Sequence, residues 1–220
     1  MFLTPLQEAD PSVIPRDRLP QFVQDVFGNI RDITVHHQRL IEQLYSIQRE
    51  YHPRIPSITA AVFDTALNFR EAYLEYIPKY PVAAYRIEDE LGKNPDFKVF
   101  HDVSGAVWRD DLFHLMLSQN VIRLSRANLV DMKHFLYRPI PHLLRYEQLL
   151  LEILQASPPG HEDRQTIPNV VEHLKSIRKD TGPGIMSAEQ KVDLWRYNTS
   201  IVFKPGEYYV SFPKRLSHSV

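Results

Sequence analysis

Four basic or titratable side chains, His134, Arg138, His142 and Arg145, follow one another at intervals of four, four and three residues. On a helix this spacing places them on one face. A row of this kind offers binding chemistry, because its cations and imidazoles can meet acidic or polar groups on another macromolecule. Groups for covalent chemistry do not assemble in the same way. Asp110 with Asp111, and Glu88 with Glu90, are near pairs of carboxylates. Neither pair has a partner that would tune one member as an acid and the other as a base. His36 and His37 are adjacent, so on a helix they point in different directions, and no metal site is expected there. The sequence has no GxxxxGK phosphate loop, no GxSxG elbow, no HExxH and no cysteine. Hydrolytic, thiolate and metal chemistry are therefore not expected, and no catalytic residue or cofactor is assigned.

The cationic row needs a helix to carry it, and residues 129–163 supply the pattern. Leu136, Ile140, Leu143, Leu144, Leu150, Leu151 and Leu154 recur at helical spacing, which predicts a buried seam along this segment. Pro139 and Pro141 interrupt it. A proline inside a helix removes a hydrogen bond and costs about 3 kcal/mol, so a kink or a fresh helix start is expected there.

The flanking segments read as helices that prop this one. Residues 1–6 read as the tail of a helix. A short helix with Phe22, Val23, Val26 and Phe27 inward comes next, then a longer one over 32–51 with a seam of Ile33, His37, Leu40, Ile41 and Leu44. Over 57–102 the pattern predicts two helices, with Ser57 as the first cap and Pro78 and Pro81 as the break between them. Their inward residues are Phe63, Leu67, Phe69, Tyr73 and Tyr76, then Ala83, Ala84, Ile87 and Leu91. Residues 164–179 form another amphipathic helix through Ile167, Val170, Val171, Leu174 and Ile177. Thr181-Gly182-Pro183-Gly184 is expected to stop it. Ser187 and Gln190 then form a capping box for a last helix, which packs back through Val192, Trp195 and Ile201.

Composition supports an all-α fold. Among 220 residues there are only 7 glycines, 43% are hydrophobic, and no long strand-like alternation occurs. Lysine and arginine number 26 against 27 acidic residues, a balance that argues against nucleic acid or a membrane surface as partner. Another protein is expected instead. No apolar run approaches the roughly 20 residues of a membrane span, and the first residues lack the basic flank of a signal peptide. The absence of cysteine is compatible with a cytoplasmic setting.

The order Phe135-Leu136-Tyr137-Arg138-Pro139, Leu143-Leu144-Arg145-Tyr146, Leu149-Leu150, then Ser157-Pro158-Pro159 with His161-Glu162-Asp163, resembles the third signature block of Dbl-homology domains. These are the exchange factors for Rho-family GTPases. Within that family the chain looks most like the fungal factors acting on the cell-wall-integrity Rho protein, in which pleckstrin-homology and citron-homology domains, directed to membranes, follow. The resemblance implies an elongated helical bundle and guanine-nucleotide exchange on a Rho-type GTPase through its switch regions. The alternative is a non-catalytic helical module that binds a GTPase or a scaffold.

Carried over residue by residue, the resemblance puts the main GTPase contact on Arg145, with Leu144 as its apolar companion and Arg138 more peripheral. Pro141 stands where the family usually has glutamine, His142 where arginine is common, and Gly182 where an asparagine commonly meets the GTPase. A glutamate of the family's first helix would lie upstream of Met1, so the domain is expected over 1–203 without the start of that helix. Residues 103–119 have no counterpart in the family pattern and read as an insertion, and residues 204–220 as a truncated tail. Val103-Ser104 can be encoded by a splice-donor sequence and Gln119 by a splice acceptor, so a retained intron is the hypothesis; transcript reads joining Asp102 directly to Asn120 would support it, and uniformly unspliced reads would defeat it.

Overall fold

A computed structural model describes residues 2–102, 104 and 131–201. Every regular element among them is helical: α1 (Leu3–Glu8), α2 (Leu19–Phe27), α3 (Ile30–Tyr51), α4 (Thr59–Lys93), α5 (Met132–Tyr137), α6 (Pro139–Ala156) and α7 (Asp163–Ser200). Residues 95–102 are also helical. The expected insertion at 103–119, Ser104 apart, and the expected tail at 204–220 lie outside the described residues.

The bundle is elongated along α4 and α7. With 35 and 38 residues, and 1.5 Å of rise for each, they run for about 52 and 57 Å. They lie side by side in the same direction. At their starts, the hydroxyls of Ser57 and Thr59 both donate to the buried Asp163 carboxylate. Further along, Arg70 donates to Asp180 at 2.6 Å. Near the ends, Tyr85 and Arg86 pack on Trp195. By contrast, α3 runs antiparallel to α4: Asn29 Nδ2 donates to the Ala72 carbonyl at one end, and Thr65 Oγ1 to Gln43 at the other.

Two apolar cores are strung along α4. The first collects Ile33 and Leu40 of α3, Phe69, Tyr73 and Tyr76 of α4, Leu143 and Leu150 of α6, and Ile167, Leu174 and Ile177 of α7. The second collects Leu6, Ile14, Phe22, Val26, Phe27, Ile87, Phe97, Met132 and Leu136. Each such side chain taken out of water contributes roughly 1.5–3 kcal/mol.

That packing overrides the breaks expected at proline. Pro78 and Pro81 lie inside one continuous α4, with Tyr76, Ile77 and Ala83 buried on either side. Thr181-Gly182-Pro183-Gly184 likewise lies inside α7, so it is not a stop, and Ser187 caps nothing. In both helices the burial on each side outweighs the single hydrogen bond that a proline removes. Gly184 has a different task from termination. A Cβ placed on it would come within 2.8 and 2.9 Å of the Pro78 ring, so glycine is what allows α7 to close on α4 at this crossing. The expected restart at Pro139 is present. Helix α5 ends at Tyr137, and Pro139 takes the first position of α6, where an N–H would have no partner.

Several residues placed inward by periodicity face solvent instead. Phe63 and Leu67 are exposed, because the inward stripe of α4 runs through Val62, Ala66, Phe69, Tyr73 and Tyr76. Ile41, Leu144, Leu151 and Ile201 are exposed as well.

Candidate functional site: the exposed face of α6

Helix α6 is held from behind and open in front. Leu143 and Leu150 are buried in the first core, and Ile140 and Leu154 pack against it. On the other side His134, Arg138, Pro141, His142, Leu144 and Arg145 are all exposed. The row anticipated from spacing is therefore real, although its first member belongs to α5 and Arg138 is the junction residue between the two helices. Leu144 is 41% exposed, so it belongs with the open face and not with the seam.

The cations of this row differ in what holds them. Arg138 lies over the Phe135 ring, 4.7 Å from its centroid, a contact that limits its reach. Arg145 has no hydrogen-bond or ion-pair partner among the described residues. Its charge is therefore available to an outside group. Its neighbour Glu147 is engaged instead, accepting from Arg178 of α7 at 2.8 Å. Gly182 sits on α7 one turn beyond Arg178, half-buried, and a Cβ there would meet nothing within 4 Å. The structure thus gathers five of the six anticipated residues on one helix and its entrance, and puts Gly182 on the adjoining helix.

Behind this face lies a polar cluster that the sequence did not announce. His37 of α3 is bonded at both ring nitrogens, Nδ1 to the Tyr146 hydroxyl and Nε2 to the Tyr73 hydroxyl, each at 2.8 Å. Its ring stacks on Tyr146 at 5.6 Å and meets the His142 ring edge-on at 5.4 Å. Burial, reinforced by His142 and His36, pushes the His37 pKa down to about 4. Burial also raises Tyr146 to about 12 and Tyr73 further still. His142 is lowered too, first by burial and then by Arg145 and Arg138. The neutral imidazole therefore donates to one tyrosine and accepts from the other. The only signal in the sequence was the position of His37 on the inward seam.

The site is thus an open cationic face at the start of a helix that begins at Pro139, backed by a long bundle. The RhoGEF domain model matches residues 1–181 of the chain.

The chain belongs to the RhoGEF family.

Over 198 residues it is 27% identical to Rho1 guanine nucleotide exchange factor 1 of Schizosaccharomyces pombe, a match covering 90% of this chain and 13% of that protein. It is 29% identical over 198 residues to RHO1 GDP-GTP exchange protein 1 of Saccharomyces cerevisiae, covering 89% and 15%. Rho guanine nucleotide exchange factor 17 of Homo sapiens is 21% identical over 193 residues, covering 86% and 8%. This RhoGEF chain thus spans 15% or less of the length of each of these relatives. No helix among its described residues is long and apolar enough to cross a membrane.

Proposed function

We propose that this chain promotes GDP release from a Rho-family small GTPase, using the exposed face of α6 to engage the switch regions. The observation that carries this reading is Arg145: a cation with no hydrogen-bond or ion-pair partner among the described residues, beside the exposed Leu144, on a helix whose opposite side is fixed in the core. Exchange makes and breaks no covalent bond. The accelerator binds the nucleotide-free GTPase more tightly than the loaded one, and that difference lowers the barrier to release. A rigid helix is suited to this task, because a face that yielded to the switch regions would lose the preference. Arg138, Pro141 and His142 extend the contact on one side of Arg145, and Gly182 leaves room for the GTPase at the adjoining helix. We place the activity in the cytoplasm, in keeping with a sequence that has no cysteine. We further infer that the domain runs over 1–203 with 103–119 inserted and 204–220 as a tail.

The test is release of fluorescent GDP from a Rho protein in the presence of this chain. Acceleration over the spontaneous rate is expected, and Arg145→Glu, which reverses the charge at an exposed position, is expected to remove it without lowering thermal stability. Tight binding with no acceleration would assign the chain to non-catalytic GTPase binding instead.

A further inference from the structure

Arg145 must be held still to act, yet no described residue is hydrogen-bonded or ion-paired to its side chain. The groups that fix this stretch of α6 sit immediately around it. Tyr146, the next residue, is hydrogen-bonded to His37 Nδ1 at 2.8 Å and stacked on the His37 ring with an interplanar angle of 10°. His142, three residues before Arg145, packs edge-on against both His37 and Tyr146, at 5.4 and 5.2 Å. Phe69 closes the cluster from α4, 4.8 Å from His37 and 6.0 Å from Tyr146. His37 itself is tied to α4 by the Tyr73 hydroxyl at 2.8 Å, and Tyr73 is wholly buried.

Resting on the exchange reading above, we infer that His37 is a positioning residue for nucleotide release, a bridge from α4 to α6 that fixes the rotation of α6 and with it the direction of Arg145. Apolar packing alone does not set that rotation. Leu143 and Leu150 anchor one side of the helix, but leucines in a core tolerate small rolls, whereas a hydrogen bond is lost within a few tenths of an ångström and tens of degrees. An imidazole bonded at both nitrogens has one ring orientation that meets both tyrosines, whichever nitrogen carries the proton. Lying behind the exposed face, it acts on release through α6.

The test compares Tyr146→Phe, which keeps the stacked ring and deletes one hydroxyl, with His37→Leu and the double variant. Val26→Ala in the second core serves as a destabilised control remote from α6. Release of fluorescent GDP is followed against GTPase concentration, and amide hydrogen exchange across α6 is read on the same proteins. Each single variant is expected to lower the maximal release rate about tenfold while the half-saturating GTPase concentration moves less than threefold. The double variant is expected to be no slower than the slower single, because both remove one bridge. Exchange across α6 should quicken in all three, and Val26→Ala should keep the maximal rate within twofold of wild type. Maximal rates unchanged in Tyr146→Phe and His37→Leu, or multiplying losses in the double, would overturn the inference. Should the wild-type chain release no nucleotide at all, the exchange reading falls, and His37 loses its part in release with it. The amide exchange then still decides whether His37 holds α6: unchanged protection in Tyr146→Phe would overturn that as well.

Discussion

His37 is held neutral where most histidines would share a proton. Its ring is half-buried where α3 meets α4 and α6, and its pKa lies at about 4 against the ordinary 6.5. The unfolded chain takes up a proton as pH falls through 6.5, while the folded chain refuses it until about 4. Stability from this group is therefore complete above pH 6.5, declines as pH falls between the two values and is lost below about 4. At pH 5 the loss is about 2 kcal/mol. His142, lowered in the same direction, adds to it. Glutamine can donate and accept as the imidazole does, but cannot titrate. Urea unfolding at pH 7.5 and pH 5 should show wild type losing about 2 kcal/mol more than His37→Gln between the two conditions. An equal loss in both proteins would mean that His37 is not the group that senses acid.

The prolines and glycines of α4 and α7 show how far sequence patterns reach at the level of elements. Helical periodicity located the apolar stretches correctly, because a 3.6-residue repeat is a local property. It could not foresee that Pro78 and Pro81 would be spanned, since continuity there depends on burial against α7, which is remote in the chain. Pro139 was legible because its effect is local: it sits where an N–H is dispensable. The open face of α6 was legible in the spacing of Arg138, His142 and Arg145, but the bridge behind it was not. Tyr73 and Tyr146 are each ordinary core aromatics until His37 is brought between them from a third helix.

The two glycines near Pro183 test the same point. Gly184 faces the Pro78 ring with no room for a methyl, whereas Gly182 has space. Gly184→Ala should cost about 1–3 kcal/mol by forcing the helices apart. Gly182→Ala should be neutral or stabilise by up to about 1 kcal/mol, the gain of alanine over glycine inside a helix. Thermal unfolding of the two variants separates them, and similar losses in both would show that glycine flexibility, not close approach, is what this crossing uses.

Over the whole molecule, α4 is the beam on which two cores hang, and polar ties at the joint decide how far they act together. Tyr76 belongs to the first core, yet its hydroxyl donates to the carbonyl of Leu136, a member of the second, at 2.6 Å. Tyr80 donates to the Lys133 carbonyl at 3.3 Å. Beyond them, Glu88 of α4 accepts from Lys133 of α5 and Arg196 of α7, each at 3.1 Å. Burial alone would raise the Glu88 carboxyl, but the hydrogen bonds and charges of Lys133 and Arg196 outweigh it and hold it below the usual range. These exposed ion pairs weaken with salt, whereas the buried Tyr76 bond does not. Arg138, at the entrance to the α6 face, follows Leu136 by only two residues, so the joint between the cores adjoins the candidate site. Tyr76→Phe strands the Leu136 carbonyl and should cost about 1–2 kcal/mol. That loss should fall unevenly. Amide exchange in the variant should show α2 and α5 opening at lower free energy than α3 and the first half of α7, where wild type opens them closer together. Uniform acceleration across both cores would mean that the bundle unfolds as one unit and that this hydroxyl does not couple its halves.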